Sequence, residues 1–414
     1  MATTCCMFLI SLQLESLTSS IFTSAFVPQP TLNVRSLSRV PPPSSQVFDL
    51  RRSNEFFRLS ESISPSSNQG SKNRNSSDVA NSGRRSFSSF LSVLWRFTRP
   101  HTIIGSALAI PSLHILAAPS YADALTVRSV CSMIYAMVPA LLMNLYITGL
   151  NQITDVEIDK INKPNLPIAA GDLSVRDATI TVVVSLVSSL AFGVFGSPLF
   201  ATQGLNMALG MSALLGTIYS LPPLRLKRFP LLAAFCIVSV RGAVINAGFF
   251  AHARAAAYGS AMSSKYTGSV LECLWGDPRC YLSSLYFAVF GLVIALMKDV
   301  PDIKGDELSN IRTVSVRLGA KRVYRMMHRL LTGLFWASGI TFLRGAINSA
   351  SSDTVTVAVR LGRAIVGIAA LLAGASVQRK AAPVDPENPK EVYGYYMHLW
   401  KLFYLSYFVL PFAR

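Results

Sequence analysis

Long apolar runs follow one another along the chain from about residue 95 to residue 414. Each run has about 20 residues, which as a helix is long enough to cross the roughly 30 Å hydrocarbon core of a bilayer. No ten-residue alternation typical of a membrane barrel is visible, and an open sheet cannot span lipid. The pattern therefore predicts an all-α protein, a polytopic bundle of about nine transmembrane helices. The predicted spans lie near residues 103–119, 129–150, 177–197, 200–219, 231–251, 280–297, 323–343, 357–376 and 394–412.

Composition supports a membrane protein, since 51% of the residues are hydrophobic and only 14% are charged. The net charge is +17, but the basic residues are spread over the leader and the short loops between apolar runs. They form no single stripe interleaved with aromatic residues, so we exclude a nucleic acid as the partner. Orientation in a lipid bilayer explains these loop charges better.

Residues 1–90 differ from the rest of the chain, because they are rich in serine and have more basic than acidic residues. This composition is typical of a plastid-targeting leader followed by a disordered linker. The string around Phe26 also allows a bipartite leader, with a signal segment before the transit part. We expect two regions, a leader at 1–90 and a membrane domain at 91–414.

Two acidic motifs each follow directly on an apolar run. In the first motif, Asn151, Asp155 and Asp159 are four residues apart, and in the second, Asp299, Asp302 and Asp306 have spacings of three and four. On a continuous helix each set lies along one face. Two carboxylates about 6 Å apart repel each other by roughly 3 kcal/mol at an effective dielectric constant near 20. We therefore expect each motif to share a cation.

The order of the spans places both motifs on one side of the membrane. The first motif follows span two and the second follows span six, so four crossings separate them. The basic loop at residues 219–228, after span four, emerges on the same side. Positive loops usually face the cytoplasm, which in a plastid corresponds to the stroma. The sequence predicts one polar opening that faces the stroma.

Carboxylates in this arrangement predict a divalent metal site. Mg²⁺ prefers oxygen ligands and is usually held by one or two carboxylates together with phosphate oxygens. We predict that the first two aspartates of each motif hold Mg²⁺ ions that bridge a diphosphate. The alternative is that these acids are ordinary interfacial charges paired with nearby lysines. The matched positions of the two motifs favour the metal. The predicted metal ligands are Asp155, Asp159, Asp299 and Asp302.

Several other residues are candidates for substrate contacts. Arg225 and Lys227 of the basic loop are predicted to hold phosphate oxygens, and Tyr219 either donates a hydrogen bond there or belongs to the aromatic belt. Asn151 lies one turn before Asp155 and could orient a ligand. Arg241 lies well inside span five, where an arginine costs about 3 kcal/mol to insert. It is expected to face a polar cavity or to pair with an acid.

The two motifs resemble those of the UbiA superfamily of membrane prenyltransferases, which are nine-helix bundles. The resemblance covers nearly all of residues 90–414. More narrowly, the stretches NQITDVEIDKINKPNLPIAAGDLS (151–174), YSLPPLRLKRFP (219–230) and KDVPDIKGDELSNIRTVSVRLG (298–319) are similar to plastid homogentisate prenyltransferases. The run at 311–319 looks closer to the phytyl-using branch than to the solanesyl-using branch.

This resemblance implies a Mg²⁺-dependent enzyme that takes a prenyl diphosphate, with phytyl diphosphate as the expected donor. The prenyl group would pass to homogentisate with loss of CO₂, which leads towards tocopherol. Asp306 would be a further ligand or a supporting acid, and Asn151 and Arg241 would meet the aromatic acceptor. The residues expected to hold the diphosphate are Lys163, Arg225, Lys227 and Lys298.

Two alternatives remain at this point. Solanesyl transfer to homogentisate, or prenyl transfer to another aromatic acceptor, uses the same pair of motifs. A cation-coupled transporter could use intramembrane carboxylates and Arg241, although the chain shows no strong inverted repeat. A soluble isoprenoid synthase is excluded by the continuous hydrophobicity between the motifs. No obligate protein partner is evident, and the expected surroundings are the lipid bilayer of a plastid.

Overall fold

The structure is a computed structural model, and it describes residues 87–259, 268–309, 311–349 and 356–414. Every regular element of these residues is helical. The expected leader at residues 1–90 lies outside them, apart from its last four residues. The helices follow in chain order as α1 (Phe87–Phe97), α2 (Pro100–Ala117), α3 (Tyr121–Ala124), α4 (Val127–Thr154), α5 (Val156–Asn162), α6 (Val175–Phe195) and α7 (Gln203–Ser220).

The second half of the described chain is helical in the same way. Its helices are α8 (Pro230–Tyr258), α9 (Val270–Gly276), α10 (Pro278–Lys298), α11 (Ile303–Leu308), α12 (Val314–Leu318), α13 (Ala320–Asn348), α14 (Val357–Ala381) and α15 (Pro389–Val409). Within α8, residues Ser239–Val244 form a π-helical turn. A short 3-10 turn, Leu226–Arg228, lies between α7 and α8.

Seven helices of the described residues are long and apolar enough to cross a membrane, judged by length and composition. They are α2, α4, α6, α8, α10, α13 and α14. Helices α7 and α15 have similar lengths but are more polar, and they coincide with the two remaining predicted spans. The predicted all-α membrane bundle is confirmed, with about nine spans as an approximate count.

Small residues allow the long helices to approach each other closely. A Cβ atom on Gly204 of α7 would lie 2.6 Å from the carbonyl oxygen of Gly248 on α8. Gly339 of α13 and Gly367 of α14 face each other, and a Cβ on either would lie 3.0 Å from the other's carbonyl oxygen. Such contacts are typical of membrane helices, whose association depends on close van der Waals packing.

Aromatic rings fill the space between α10 and α15. Phe287 stacks on Tyr407 with ring centroids 3.8 Å apart, and Phe290 meets Phe403 edge to face at 5.2 Å. Aromatic pairs in these geometries add about 0.5–1.5 kcal/mol each beyond their area burial. We call these packed rings the aromatic wall, because they lie between the two cavities described below.

Candidate active site

The first acidic motif lies at a break between two helices. Helix α4 ends at Thr154 and α5 begins at Val156, so Asp155 stands between them. The guanidinium of Arg225 donates to the carbonyl oxygen of Thr154 (3.0 Å) and to the carboxylate of Asp155 (2.8 Å). The expected continuous helix is therefore wrong, because this cation binds the carbonyl group at the end of α4. Asn151 still reaches Asp155, and its amide donates to the carboxylate at 3.0 Å.

The second acidic motif is interrupted in the same way. Helix α10 ends at Lys298 and α11 begins at Ile303, with Asp299 and Asp302 in the connection between them. Pro301 lies in this connection, and a proline disfavours the helical conformation in the residue before it. The expected single helical stripe is therefore also wrong here. Asp306 lies inside α11 and is buried.

The two motifs lie against each other. The Lys163 ammonium, at the end of the first motif, forms an ion pair with the Asp302 carboxylate of the second. The Asn162 amide donates to the carbonyl oxygen of Asp302 (3.1 Å), and its own oxygen accepts from the Gly305 backbone (3.0 Å). A Cβ on Gly305 would lie 2.3 Å from Asn162, so this contact depends on glycine. The two motifs are thus close enough for one charged ligand to contact both.

Asn162 was missed in the sequence reasoning, although it lies within the first motif. Its position in the sequence could have identified it, because Asn162 comes three residues after Asp159 and on a helix would lie near the same face. Arg99 was also missed as a site residue, and its guanidinium lies 3.8 Å from the Asp159 carboxylate. It directly precedes α2, where the sequence gives it no signal beyond its positive charge.

The basic loop contacts the first motif directly. The Lys227 ammonium forms an ion pair with Asp155 and is only 8% exposed. Burial lowers the pKa of Lys227 to about 8, although the neighbouring Asp155 acts to raise it. Burial alone would raise the pKa of Asp155, but Lys227 and Arg225 outweigh this and hold it below its usual value.

Acids of the second motif contact a further cation. The Lys298 ammonium lies 3.3 Å from the Asp299 carboxylate, and the Tyr219 side chain lies close to this ammonium. Burial raises the pKa of Asp299 despite this neighbour, and Asp302 raises it further. Burial also raises the pKa of Asp306 to about 7, with further contributions from Asp299 and Asp302. The site is thus crowded with carboxyl groups as well as cations.

We call this cluster of acids and cations the mouth. It consists of Arg99, Asp155, Asp159, Lys163, Arg225, Lys227, Lys298, Asp299, Asp302 and Asp306.

Within the described residues, no three His, Cys, Asp or Glu side chains are placed so that they alone could hold a metal ion. The mouth nevertheless offers suitable oxygen ligands. The Oδ2 atom of Asp159 is buried without a hydrogen-bond partner, and burial raises the pKa of this carboxyl. Such an orphaned acceptor fits a cation that is also held by ligand oxygens, as Mg²⁺ usually is.

A cavity of about 220 Å³ leads from the mouth into the bundle. At the mouth it is lined by Arg99, Asn151, Tyr219 and Lys298. Deeper in the bundle, apolar side chains of three helices surround it: Met143, Ile147, Val240, Phe249 and Ile294. The cavity therefore joins a charged entrance to an apolar interior, which suits a ligand with a charged head and a hydrocarbon tail.

The π-helical turn of α8 places Arg241 on this cavity. Its guanidinium lies over the rings of Trp400 (4.9 Å) and Phe403 (5.5 Å) on α15. Among the described residues, no acid forms an ion pair with Arg241. Of the two expectations for this residue, the structure therefore favours the one in which it faces a cavity. Single π-helical turns are frequently found at functional sites.

Two neighbouring residues of the first motif lie away from the mouth. Gln152 is buried and its amide donates to the carbonyl oxygen of Phe97 (2.7 Å), which ties α4 to α1. Glu157 points to solvent and pairs with Lys160 at 2.8 Å. Both therefore have structural or surface contacts instead of contacts with the cavity.

Comparison with known proteins identifies the family. The profile of the UbiA prenyltransferase family matches residues 108–402 of this chain. The chain belongs to this family. The matched region begins within α2 and ends within α15, so it includes both acidic motifs and the basic loop. Membership confirms the predicted membrane prenyltransferase and favours an enzyme over the cation-coupled transporter.

Curated relatives differ in the prenyl group that their names specify. The chain is 37% identical over 339 residues to homogentisate phytyltransferase 1, chloroplastic, of Arabidopsis thaliana, covering 81% of this chain and 78% of that protein. It is 36% identical to homogentisate geranylgeranyltransferase of Triticum aestivum, covering 78% and 73%. It is 35% identical to homogentisate solanesyltransferase, chloroplastic, of Arabidopsis thaliana, covering 78% and 77%.

Solved structures include a UbiA homolog from Archaeoglobus fulgidus bound to GPP and Mg²⁺. It has 15% sequence identity and a TM-score of 0.48, covering 77% of this chain and 99% of that one.

Proposed function

We propose that this protein transfers a prenyl group, specifically phytyl, from its diphosphate to homogentisate in the synthesis of a tocopherol precursor. In this reaction the allylic carbon–oxygen bond breaks and diphosphate leaves. A new carbon–carbon bond forms to the aromatic ring, which loses a proton, and the carboxyl group of the acceptor leaves as CO₂ while the remaining CH₂ group takes up a proton and becomes methyl. The observation that carries the proposal is the meeting of the two acidic motifs at the entrance of an apolar cavity.

The relatives support homogentisate as the acceptor and a prenyl diphosphate as the donor class. Phytyl-, geranylgeranyl- and solanesyltransferases that match this chain all carry homogentisate in their names. Phytyl is favoured over solanesyl by the run at residues 311–319, which looks closer to the phytyl-using branch than to the solanesyl-using branch. The proposed donor is therefore phytyl diphosphate and the proposed acceptor is homogentisate.

The mouth is proposed to hold the diphosphate. Asp155, Asp159, Asp299 and Asp302 would hold Mg²⁺, with Asp306 as a supporting acid. When bound, Mg²⁺ neutralises negative charge on a departing diphosphate. Arg225 and Lys227 approach from the basic loop, and Lys163 and Lys298 approach from the two motifs. Their ammonium and guanidinium groups are suited to phosphate oxygens.

The cavity is proposed to hold the acceptor and to exclude water. Arg241 has no acidic partner among the described residues and lies against aromatic rings, so the acceptor carboxylate is its proposed partner. Asn151 and Tyr219 line the route between Arg241 and the mouth and can bind the acceptor hydroxyls. The apolar walls keep water from an allylic cation, which would otherwise be hydrolysed.

The protein is further proposed to lie in a plastid membrane with its mouth facing the stroma. Relatives named as chloroplastic support the plastid. The stromal orientation rests on the positive-inside rule, since the basic loop lies at the mouth.

A donor and acceptor matrix tests the proposal. Purified full-length protein in lipid would receive phytyl, geranylgeranyl or solanesyl diphosphate, each with homogentisate or another aromatic acceptor, with and without Mg²⁺. We expect the highest kcat/KM for phytyl diphosphate with homogentisate, and no turnover after chelation by EDTA until Mg²⁺ is restored. Activity with solanesyl diphosphate alone would overturn the donor, and failure of homogentisate in every combination would overturn the acceptor.

A further inference from the structure

A second cavity lies at the end of the bundle opposite the mouth. It has a volume of about 460 Å³ and lies between helices α10, α13, α14 and α15. None of the residues assigned above to prenyl transfer lines it. Its volume is about twice that of the first cavity, which is enough space for a ligand.

Polarity changes from one end of this cavity to the other. Its outer end contains Arg279 at the start of α10, Asn348 at the end of α13, and Arg363 in the second turn of α14. Its inner end is formed by apolar side chains that include Phe335 and Ala373. Ala373 is ten residues beyond Arg363, which corresponds to about 15 Å along a helix. A lipid in one leaflet has the same arrangement of polar head and apolar chain.

The outer end is also rich in positive charge. Arg363 donates to a backbone oxygen of Arg414, the last residue of the sequence, which carries the terminal carboxylate (2.7 Å), and to the Ser349 hydroxyl (2.5 Å). Arg414 has a buried Nε atom without a hydrogen-bond partner. Neither arginine is ion-paired with an Asp or Glu among the described residues. Arg279 does pair with Asp277, but this carboxylate is shared with Arg254. Among the described residues, three arginines and no Asp or Glu line this cavity, so the lining has a net positive charge even when the terminal carboxylate of Arg414 is counted, and it is suited to an anion.

The second cavity is separated from the first by the aromatic wall. Phe403 lies against Arg241 of the first cavity on one side (5.5 Å) and against Phe287 of the second on the other (5.4 Å). Tyr286 and Ser406 are hydrogen-bonded at 2.9 Å on the side of the second cavity. A diphosphate held in the mouth is thus at the far end of the bundle, and the second cavity is a separate site.

We propose that the second cavity binds a membrane lipid with an anionic head group. The head group contacts Arg363 and Arg414, and one acyl chain lies along the apolar surface formed by Leu334, Phe335 and Ala370. Charge complementarity at the outer end and the apolar inner end together select this class of ligand. The proposal concerns lipid binding and does not depend on which substrates react in the first cavity.

Lipid-dependent thermal stability tests the proposal. Full-length protein in a neutral detergent would be titrated with phosphatidylglycerol, phosphatidylcholine of the same acyl chains, or inorganic phosphate. We expect phosphatidylglycerol to raise Tm by several degrees, through preferential binding to the folded state. The other two additives should leave Tm unchanged. An equal effect of phosphatidylcholine, or an effect of phosphate alone, would overturn the anionic-lipid site.

Matched variants locate the lipid. The double variant Arg363→Gln/Arg414→Gln should need at least tenfold more phosphatidylglycerol to reach half of the maximal rise in Tm. Ala370→Phe should do the same by filling the apolar part. Arg344→Gln is the control, because Arg344 is an exposed cation on α13 at the same end but does not line the cavity. If the wild type and the three variants showed the same dependence of Tm on phosphatidylglycerol, the lipid would have to bind elsewhere.

A measurement on the unaltered protein covers the case in which a variant misfolds. A phosphatidylglycerol analogue with a photoreactive acyl chain would be cross-linked to the wild-type chain, and the adducts would be mapped by mass spectrometry. Adducts concentrated at 334–345, 366–373 and 405–410 would support the site. Adducts spread evenly over the lipid-facing helices would overturn it.

Discussion

Asp302 is the residue at which the two halves of the mouth come together. It belongs to the second motif, yet its carboxylate pairs with Lys163 and its carbonyl oxygen accepts from Asn162, both of the first motif. It is only 7% exposed. A change at this position therefore alters both motifs, and not only one carboxylate.

Asp302→Asn should reduce prenyl transfer at least about 100-fold, because it removes a predicted metal ligand and the charge that holds Lys163. The measurement is kcat/KM in membranes, with the amount of protein checked by immunoblot. Glu157→Gln is the matched control, since Glu157 is an acid of the first motif that points to solvent. Near-normal activity of Asp302→Asn would refute the metal assignment.

Arg241→Gln should raise the KM for homogentisate about 10- to 100-fold, because a charge-assisted hydrogen bond is worth roughly 1.5–3 kcal/mol. The KM for the prenyl diphosphate should change little, since the diphosphate is proposed to bind in the mouth. Arg241→Lys should recover part of the acceptor affinity. Steady-state kinetics with each substrate varied in turn gives both constants. An unchanged KM for homogentisate in Arg241→Gln would exclude Arg241 from the acceptor site.

At the level of elements, the short helices α5 and α11 are the parts that join the motifs. Each begins after a break that follows a membrane-spanning helix, and Asn162 at the end of α5 contacts the start of α11. This joint sets the distance between the two sets of carboxylates.

Asn162→Ala should therefore raise the Mg²⁺ concentration needed for half-maximal activity about 10- to 100-fold, as expected when a residue that positions metal ligands is lost. Activity would be measured over a Mg²⁺ titration. Lys160→Ala serves as the control on the same helix, because Lys160 is exposed and contacts only Glu157. Identical Mg²⁺ curves for the wild type and Asn162→Ala would show that the joint does not position the ligands.

The π-helical turn of α8 depends on a small residue beside Arg241. A Cβ on Gly242 would lie 2.5 Å from the Cβ of Ala288 on α10. Gly242→Ala should destabilise the protein by about 1–3 kcal/mol through overpacking, and it should also raise the KM for homogentisate. Gly210→Ala is the control, because nothing lies within 4 Å of its added Cβ. Equal melting temperatures of the two variants in detergent would contradict this prediction.

The sequence could predict the spans and the position of both motifs at the same end of the bundle, because length, hydropathy and charge are local properties. It also predicted that Asn151 would approach Asp155, since four residues make one helical turn. It could not predict the break at Asp155, which depends on Arg225 from a loop 70 residues away. The Asn162 contact and the π-helical turn likewise depend on tertiary packing. Roles of the individual residues in catalysis remain predictions.

Across the whole molecule, the end opposite the mouth is held together by a buried charge cluster. Asp277 pairs with Arg254, which is 2% exposed, and with Arg279 at 2.9 Å. Burial alone would raise the pKa of Asp277, but Arg279 and Arg254 outweigh it and lower the pKa. The stabilisation is therefore complete above the unfolded-state pKa of about 4 and is lost as the pH falls through the lower folded-state value.

Asp277→Asn should destabilise the protein by about 3–5 kcal/mol, because Arg254 would remain buried without its carboxylate partner. The measurement is Tm in detergent at neutral pH. Glu387→Gln is the control, because the Lys321–Glu387 pair is exposed, with side chains 60% and 63% accessible. A loss no greater than that of the control would show that Asp277 is not a main support of this end.

The mouth has a consequence for the form in which a ligand arrives. Its five aspartates stand among five cations, and all but Asp306 form an ion pair with one of them. Such a pocket is close to electrically neutral and offers little net attraction to a bare polyanion. A diphosphate already accompanied by divalent counter-ions is itself nearly neutral, and each of its charges can replace a contact that the resting protein makes with itself. Ligand entry is then an exchange of partners and not the filling of an unpaired, positively charged pocket.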